Sequence, residues 1–211
     1  AIKSADFADM KFRDKIARAV RLRLEAVSDK EAVRRGATLF ALPMHAANVS
    51  AATFGRMIPG VHLAQHADKP AIIMANSGFT QTYAELDAAA NRLSRLLRAA
   101  GLNPGDHIAI CMENHDRYLE VIWGCHYAGL VYTAASSRLQ SAELDYIIND
   151  CGARAYITSK YMADQAADMM DKTPAVELRL MLDGTVDGYE SYESAVEAQL
   201  PEPLDEQRIA G

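Results

Sequence analysis

Apolar positions in this chain change period repeatedly after residue 70. Ala71-Ile-Ile-Met74 and the residues from Phe79 to Tyr83 are short apolar runs flanking Asn76-Ser-Gly78, which predicts two strands joined by a tight turn with Gly78 at positive φ. Leu86, Ala90, Leu93 and Leu97 then recur at helical spacing. Thr82-Tyr-Ala-Glu85 supplies a capping box at the start of that helix and Gly101 a stop at its end. After the turn signal Asn103-Pro-Gly105, His107-Ile-Ala-Ile-Cys-Met112 has few polar residues, as expected of a strand covered on both faces.

The alternation continues. Asn114 is placed to cap a helix whose Tyr118, Leu119, Ile122, Trp123 and Tyr127 make it apolar nearly all round until Gly129, which predicts a buried helix. Leu130 to Ala134 reads as a strand, and Ser141-Ala-Glu-Leu-Asp145 opens a helix. Ala153 to Thr158 reads as a strand, Tyr161 to Met170 as a helix, and Leu178 to Leu182 as a last strand. Strands alternating with helices imply right-handed crossovers, so the fold class is α/β with a mainly parallel sheet and helices on both faces. Beyond Asp183 the pattern predicts turns at Gly184 and Gly188, a short helix from Tyr192 to Gln199, and an extended linker from Pro201-Glu-Pro203 onward.

The first 56 residues follow another pattern. Phe12, Ile16, Val20, Leu24 and Val27 form one amphipathic face with Lys11, Lys15, Arg18 and Arg21 mainly elsewhere. Ser28-Asp-Lys-Glu31 is a second capping box, and the helix it opens ends before Pro43. The α/β part is therefore preceded by a short all-helical segment. Charge separates the two parts. Residues 1–56 hold 11 Lys and Arg against 6 Asp and Glu, whereas 57–211 hold 11 against 22, within a net charge of −6 for the whole. The net acidity gives no reason to expect nucleic acid as a partner. The basic helices are compatible with a lipid surface and, more simply, with packed helices that have a solvated outer face.

Three cysteines, Cys111, Cys125 and Cys151, lack any Cys-x-x-Cys spacing and read as small core residues in a reducing cytoplasm. No uninterrupted apolar run approaches 18 residues, and the charged N-terminus has no signal-peptide core, so no transmembrane segment is expected. The first residue is Ala1, which points to a trimmed chain or a fragment. His62 and His66 have the i, i+4 spacing of helical metal ligands but no third ligand at a familiar distance, so they read as a structural pair. Cys125 and His126 are adjacent and diverge by about 100° on a helix, which rules out a nucleophile and base pair. Asn76-Ser-Gly78 lacks the second Gly and the Lys of a phosphate loop. No Gly-x-Ser-x-Gly, Gly-x-Gly-x-x-Gly or His-Glu-x-x-His occurs.

Seven blocks in order carry a family likeness. They are Met57-Ile-Pro-Gly-Val-His62, Asp68-Lys-Pro-Ala71, Thr82-Tyr-Ala-Glu-Leu-Asp87 with Ala90-Asn-Arg-Leu93, Gly101-Leu-Asn-Pro-Gly-Asp106, Met112-Glu-Asn-His115, Gly129-Leu-Val-Tyr-Thr-Ala134 and Asp150-Cys-Gly-Ala-Arg-Ala155. Together they resemble the N-terminal part of acyl-CoA synthetases, the AMP-binding adenylate-forming superfamily, over residues 57–211. Within it the likeness is greatest to bacterial fatty-acid-CoA ligases. Residues 7–46 more weakly resemble a helical ubiquinone-biosynthesis lipid-binding family. The ligase resemblance implies formation of an acyl-adenylate from a carboxylic acid and ATP with Mg, then transfer to CoA. It implies four functional elements: a Ser/Thr/Gly-rich phosphate loop, a Thr-Glu element, a ribose-holding Asp and a Lys on a mobile C-terminal domain. None of the four is present in the sequence, the phosphate loop being expected soon after Gly211. No catalytic, cofactor-binding or metal residue is therefore assigned, and no cofactor is expected in this chain itself, although ATP, Mg and CoA are implied for a full-length enzyme.

The expected organisation is a basic helical segment foreign to the ligase family at 1–56, an α/β N-terminal subdomain at 57–200, and a linker at 201–211. The expected function is the N-terminal portion of an ATP-dependent fatty-acid-type ligase, cytoplasmic and not catalytic by itself. Its partners are the remainder of the ligase chain and a fatty acid, and exposure of the face meant for that remainder predicts self-association. The alternative is a lipid- or acyl-chain-binding module without catalysis.

Overall fold

The computed structural model describes residues 58–205. The predicted helices at 11–42, and the lipid-binding likeness at 7–46, lie outside the described residues. A 3-10 turn at Pro59–His62 leads into a short helix, α1 (Leu63–His66), and then an antiparallel pair, β1 (Pro70–Ile73) and β2 (Thr80–Thr82). The turn between them is closed by Met74 N–H to Phe79 O at 2.9 Å, with Gly78 at φ 73°. The hairpin reading of Asn76-Ser-Gly78 therefore holds.

Five parallel strands form the main sheet: β3 (His107–Met112), β4 (Val131–Ser136), β5 (Ala155–Ser159), β6 (Leu178–Leu182) and β7 (Glu190–Ser191), in the order β4-β3-β5-β6-β7. The helices are α2 (Tyr83–Ala99), α3 (Tyr118–Tyr127), α4 (Ser141–Asp150), α5 (Ala163–Met169) and α6 (Tyr192–Glu197). Strand alternation sorts the core into two layers. Ile108, Ile110, Met112, Ala155, Ile157, Leu180 and Leu182 meet Leu93 and Leu97 of α2, Val121 and Cys125 of α3, and Tyr192 and Val196 of α6. Ala109, Cys111, Tyr156 and Met181 point the other way, to Leu144 and Ile148 of α4 and Ala166 and Met169 of α5. Helices thus cover both faces, as the strand composition requires.

The capping box at Thr82 and Glu85 forms as predicted, with Thr82 N–H donating to Glu85 Oε2 at 2.8 Å and Glu85 N–H to Thr82 Oγ1 at 3.3 Å. At the other end Gly101 N–H reaches Arg98 O and Leu102 N–H reaches Leu97 O, the two bonds of a Schellman stop.

Three expectations need correction. Asn114 is not the cap of α3; that helix starts at Tyr118, with Arg117 at its N-cap and no side-chain bond there. Nor is α3 buried all round: Glu120, Val121, Gly124, Cys125 and Tyr127 are buried, while Leu119 remains exposed. Apolar composition does not bury a face when nothing is packed over it, and α3 lies beside the edge strand β4. Leu178–Leu182 is not the last strand, because the two-residue β7 pairs with β6 through Leu180 and Met181. Residues 200–205 form no helix or strand, and residues 199–203 are anchored to α2: Arg92 Nε donates to Gln199 O at 3.2 Å, and Arg95 donates to Glu202 O and Pro203 O at 2.7 and 2.8 Å.

Candidate functional site

In an open parallel sheet the crevice that receives ligands lies at the carboxyl ends of two neighbouring strands whose connections leave in opposite directions. Here those strands are β3 and β5. The chain leaves β3 through α3 on one face to reach β4, then returns through α4 on the other face to β5 and onward to β6. The residues just beyond the strands are Glu113, His115 and Asp116 after β3, Ser159 and Lys160 at the end of β5, and Asp183 and Gly184 after β6.

These side chains are tied together. The buried Ser159 hydroxyl donates to the Glu113 carboxylate, joining the ends of β3 and β5. Just below, Thr158 Oγ1 donates to Cys111 O at 2.7 Å across the same pair of strands. The His115 ring is nearly enclosed, with Nε2 3.0 Å from Asp183 Oδ2 and Nδ1 2.9 Å from Asp116 Oδ1. The Arg117 amide also approaches Nδ1, at 3.1 Å. Asp183 itself sits at φ 60°, a left-handed conformation that costs a non-glycine residue stability and that Asp tolerates better than most. Its amide is held by Glu193 Oε1 at 3.1 Å, while Lys160 Nζ donates to Thr185 O at 3.3 Å.

The arrangement is a brace between three strand ends. Ser159 donates to a carboxylate rather than to His115, so the hydroxyl has no imidazole base to activate it. Lys160 offers a cation at the rim, beside the strained Asp183-Gly184 turn. In the sequence Glu113 and His115 stand out only as part of the Met112-Glu-Asn-His115 block of the family likeness, and none of the cluster is assigned a site role there. The available signal was position: each residue follows the last apolar residue of a parallel strand.

A second buried polar group lies beneath α6. Glu120 is buried, accepts from Tyr192 OH at 2.7 Å and lies 3.4 Å from Arg117 Nη1. Burial pushes its carboxyl above the usual carboxylate range, and burial likewise raises the Tyr192 phenol. At the opposite, amino-terminal end of the strands Arg154 bridges Asp106 and Glu177, the latter at 2.6 Å, and so joins the starts of β3, β5 and β6. The hydrogen bond from the Asn103 amide, followed by Arg154, holds Asp106 below its ordinary range; the Arg154 hydrogen bond lowers Glu177.

The groups weighed from sequence fall elsewhere. His62 lies in the 3-10 turn with its ring 6.5 Å from that of Tyr83, and His66 ends α1, so the pair does not share one continuous α-helix. Cys125 is in the core, and His126 packs against Trp123 with ring centroids 5.5 Å apart. Burial raises the Cys111 thiol to about 11 and the Cys125 thiol to about 12, which suits inert core residues. Among the described residues no group of three or more His, Cys, Asp or Glu is placed to hold a metal ion, and no helix is long and apolar enough to cross a membrane.

A five-stranded parallel sheet flanked on both faces, with its polar brace at a switch point, defines an open, doubly wound α/β architecture. Residues 61–210 match the model of the AMP-binding enzyme family. The chain belongs to that family, and its α/β part corresponds to the N-terminal part of an adenylate-forming acyl-CoA synthetase. Among similar proteins, a feruloyl-CoA synthase of an Amycolatopsis species is 38% identical over 112 residues, 51% of this chain and 23% of that protein. A 3-oxocholest-4-en-26-oate–CoA ligase of Rhodococcus rhodochrous is 31% identical over 145 residues, 66% of this chain and 26% of that protein. The solved fatty acyl CoA synthetase of Mycobacterium tuberculosis shares the fold, with a TM-score of 0.63 at 21% identity over 72% of this chain and 29% of that one. The chain thus spans about a quarter of the length of the curated relatives it matches.

Proposed function

We propose that this chain is the N-terminal portion of an ATP-dependent, fatty-acid-type acyl-CoA ligase, and that residues 1–211 do not complete the reaction unaided. The observation that carries the reading is the family match through residue 210 on an intact parallel sheet. The reaction joins a carboxylic acid to AMP, with release of diphosphate, and then transfers the acyl group to CoA. It requires neutralising phosphate charge and holding a carboxylate in line with the α-phosphate. The side chains at the switch point brace one another, and the role we assign them is scaffold: they hold the strand ends against which the remaining, reactive part of such an enzyme is built. ATP, Mg and CoA would be held by that remainder.

Among the described residues the outer edge of β4 has no strand partner, and Val131 and Tyr132 on that strand and Leu119 of α3 are exposed, which supports the same reading. An open strand edge with exposed apolar side chains favours self-association at high concentration. The test is acid-dependent exchange of labelled diphosphate into ATP, made on residues 1–211 and on a longer chain that continues them. Exchange with a fatty acid by the longer chain alone is the expected result; none by either chain overturns the ligase reading. The lipid-binding alternative rests on residues 1–56, outside the described residues, and no structural observation favours it.

A further inference from the structure

Three backbone carbonyls within five residues, those of Gln199, Glu202 and Pro203, accept hydrogen bonds from arginines 107 or 108 residues earlier. Arg92 and Arg95 are three apart on α2 and therefore share a face of that helix. The guanidinium of Arg95 uses two donors, Nε at 2.7 Å from Glu202 O and Nη2 at 2.8 Å from Pro203 O, a forked geometry that a lysine ammonium does not reproduce. The segment they hold has little structure of its own. It follows the end of α6 at Glu197, and Pro201 and Pro203 have no N–H to give to a helix or ladder. Because every acceptor is a backbone oxygen, the grip constrains the path of the chain and not the identity of its side chains.

The helix that does the gripping is fixed. α2 is capped at both ends, buries Leu86, Leu93 and Leu97, and is joined to α3 by Tyr127 OH donating to the buried Asp87 at 2.6 Å. We propose that Arg92 and Arg95 form a clamp that sets the direction in which the chain leaves the α/β unit. Resting on the ligase reading, they are positioning residues for the reaction. The family match continues to residue 210 and the relatives are about four times as long as the matched stretch, so in such a ligase the chain passes this exit on its way to the rest of the enzyme.

Spin labels at Tyr161→Cys and Asp205→Cys, in a Cys151→Ser background that leaves only the buried Cys111 and Cys125, report the exit direction by pulsed dipolar spectroscopy. The parent gives one narrow distance distribution, and Arg92→Ala with Arg95→Ala broadens it at least twofold. Arg95→Lys keeps the charge and the stem but loses the fork, and broadens it as well. It serves if the double variant fails to fold. An unchanged width in a folded variant overturns the clamp. In the longer ligase chain, loss of the clamp lowers the fraction able to bind substrate, so the KM for ATP rises about fivefold while kcat is kept. Mere destabilisation removes active enzyme and lowers kcat at constant KM, and that result overturns the positioning role. Wild-type enzyme that forms no adenylate defeats the ligase reading instead, and the distance measurement still decides the clamp.

Discussion

Replacing Gly124 by alanine tests the closest helix contact in the core. A Cβ built on Gly124 of α3 meets Leu93 of α2 at 2.7 Å from its Cβ, 2.7 Å from its Cγ and 2.5 Å from its Cδ2. Carbon atoms prefer about 3.5–4.0 Å, so the shortfall is roughly 1 Å on three atoms at once. Turning the Leu93 side chain does not relieve the Cβ contact, because that atom is fixed to the backbone. The helices must therefore separate, and Leu93, Leu97, Val121 and Cys125 around them are fully enclosed. Overpacking of this kind costs about 1–3 kcal/mol, and the backbone shift places the cost in the upper half of that range. The gain in helix propensity from glycine to alanine returns about 0.5–1 kcal/mol. The net expectation is a loss of about 1–2.5 kcal/mol, or a melting temperature lower by roughly 2–10 °C. The protein has one tryptophan, Trp123, adjacent to the mutated position, so urea unfolding followed by its fluorescence is a direct assay. Leu93→Ala removes two of the three contacts and leaves the Cβ one, so in that background the penalty of Gly124→Ala is reduced and not abolished. A stabilised Gly124→Ala single variant, as at an ordinary exposed helix position, would refute the reasoning.

Two further outcomes follow from buried ionisable groups. The folded Glu120 carboxyl ionises at higher pH than the unfolded one, so as pH rises from the ordinary carboxylate range the unfolded state ionises first and stability falls until the folded carboxyl has also ionised. Glu120→Gln removes that loss, and its stability relative to wild type grows with pH over this window. Asp106 and Glu177, both lowered, still lose their contribution on acidification. Equal pH profiles for the two proteins in urea titrations contradict the account. For the thiols, a disulfide-exchange reagent modifies only the partly exposed Cys151 in the native protein and all three cysteines in denaturant. Rapid native reaction at Cys111 or Cys125 would show that their enclosure is not maintained.

The sequence alone determined the elements and their order. Capping at Thr82 and Glu85, the turns at Gly78 and Gly101, and the apolar strands at 107–112 and 178–182 are local matters, settled by a few neighbouring residues whose chemistry can be read one after another. The alternation of those elements also implied a parallel sheet, and seven ordered blocks implied the family that the matched region confirms. Tertiary structure decided what depends on distant partners. Asn114 has the right chemistry for a cap but lies too far before Tyr118, and α3 has an apolar composition that its neighbours cover on one side only. The Ser159 bond to Glu113, the enclosure of His115 between Asp116 and Asp183, and the grip of Arg92 and Arg95 on residues 199–203 join positions 46 to 108 residues apart, apart from the adjacent His115–Asp116 pair. Such contacts depend on strand order and helix placement, and strand order is fixed by which crossovers return across the sheet, a global choice that local periodicity does not encode.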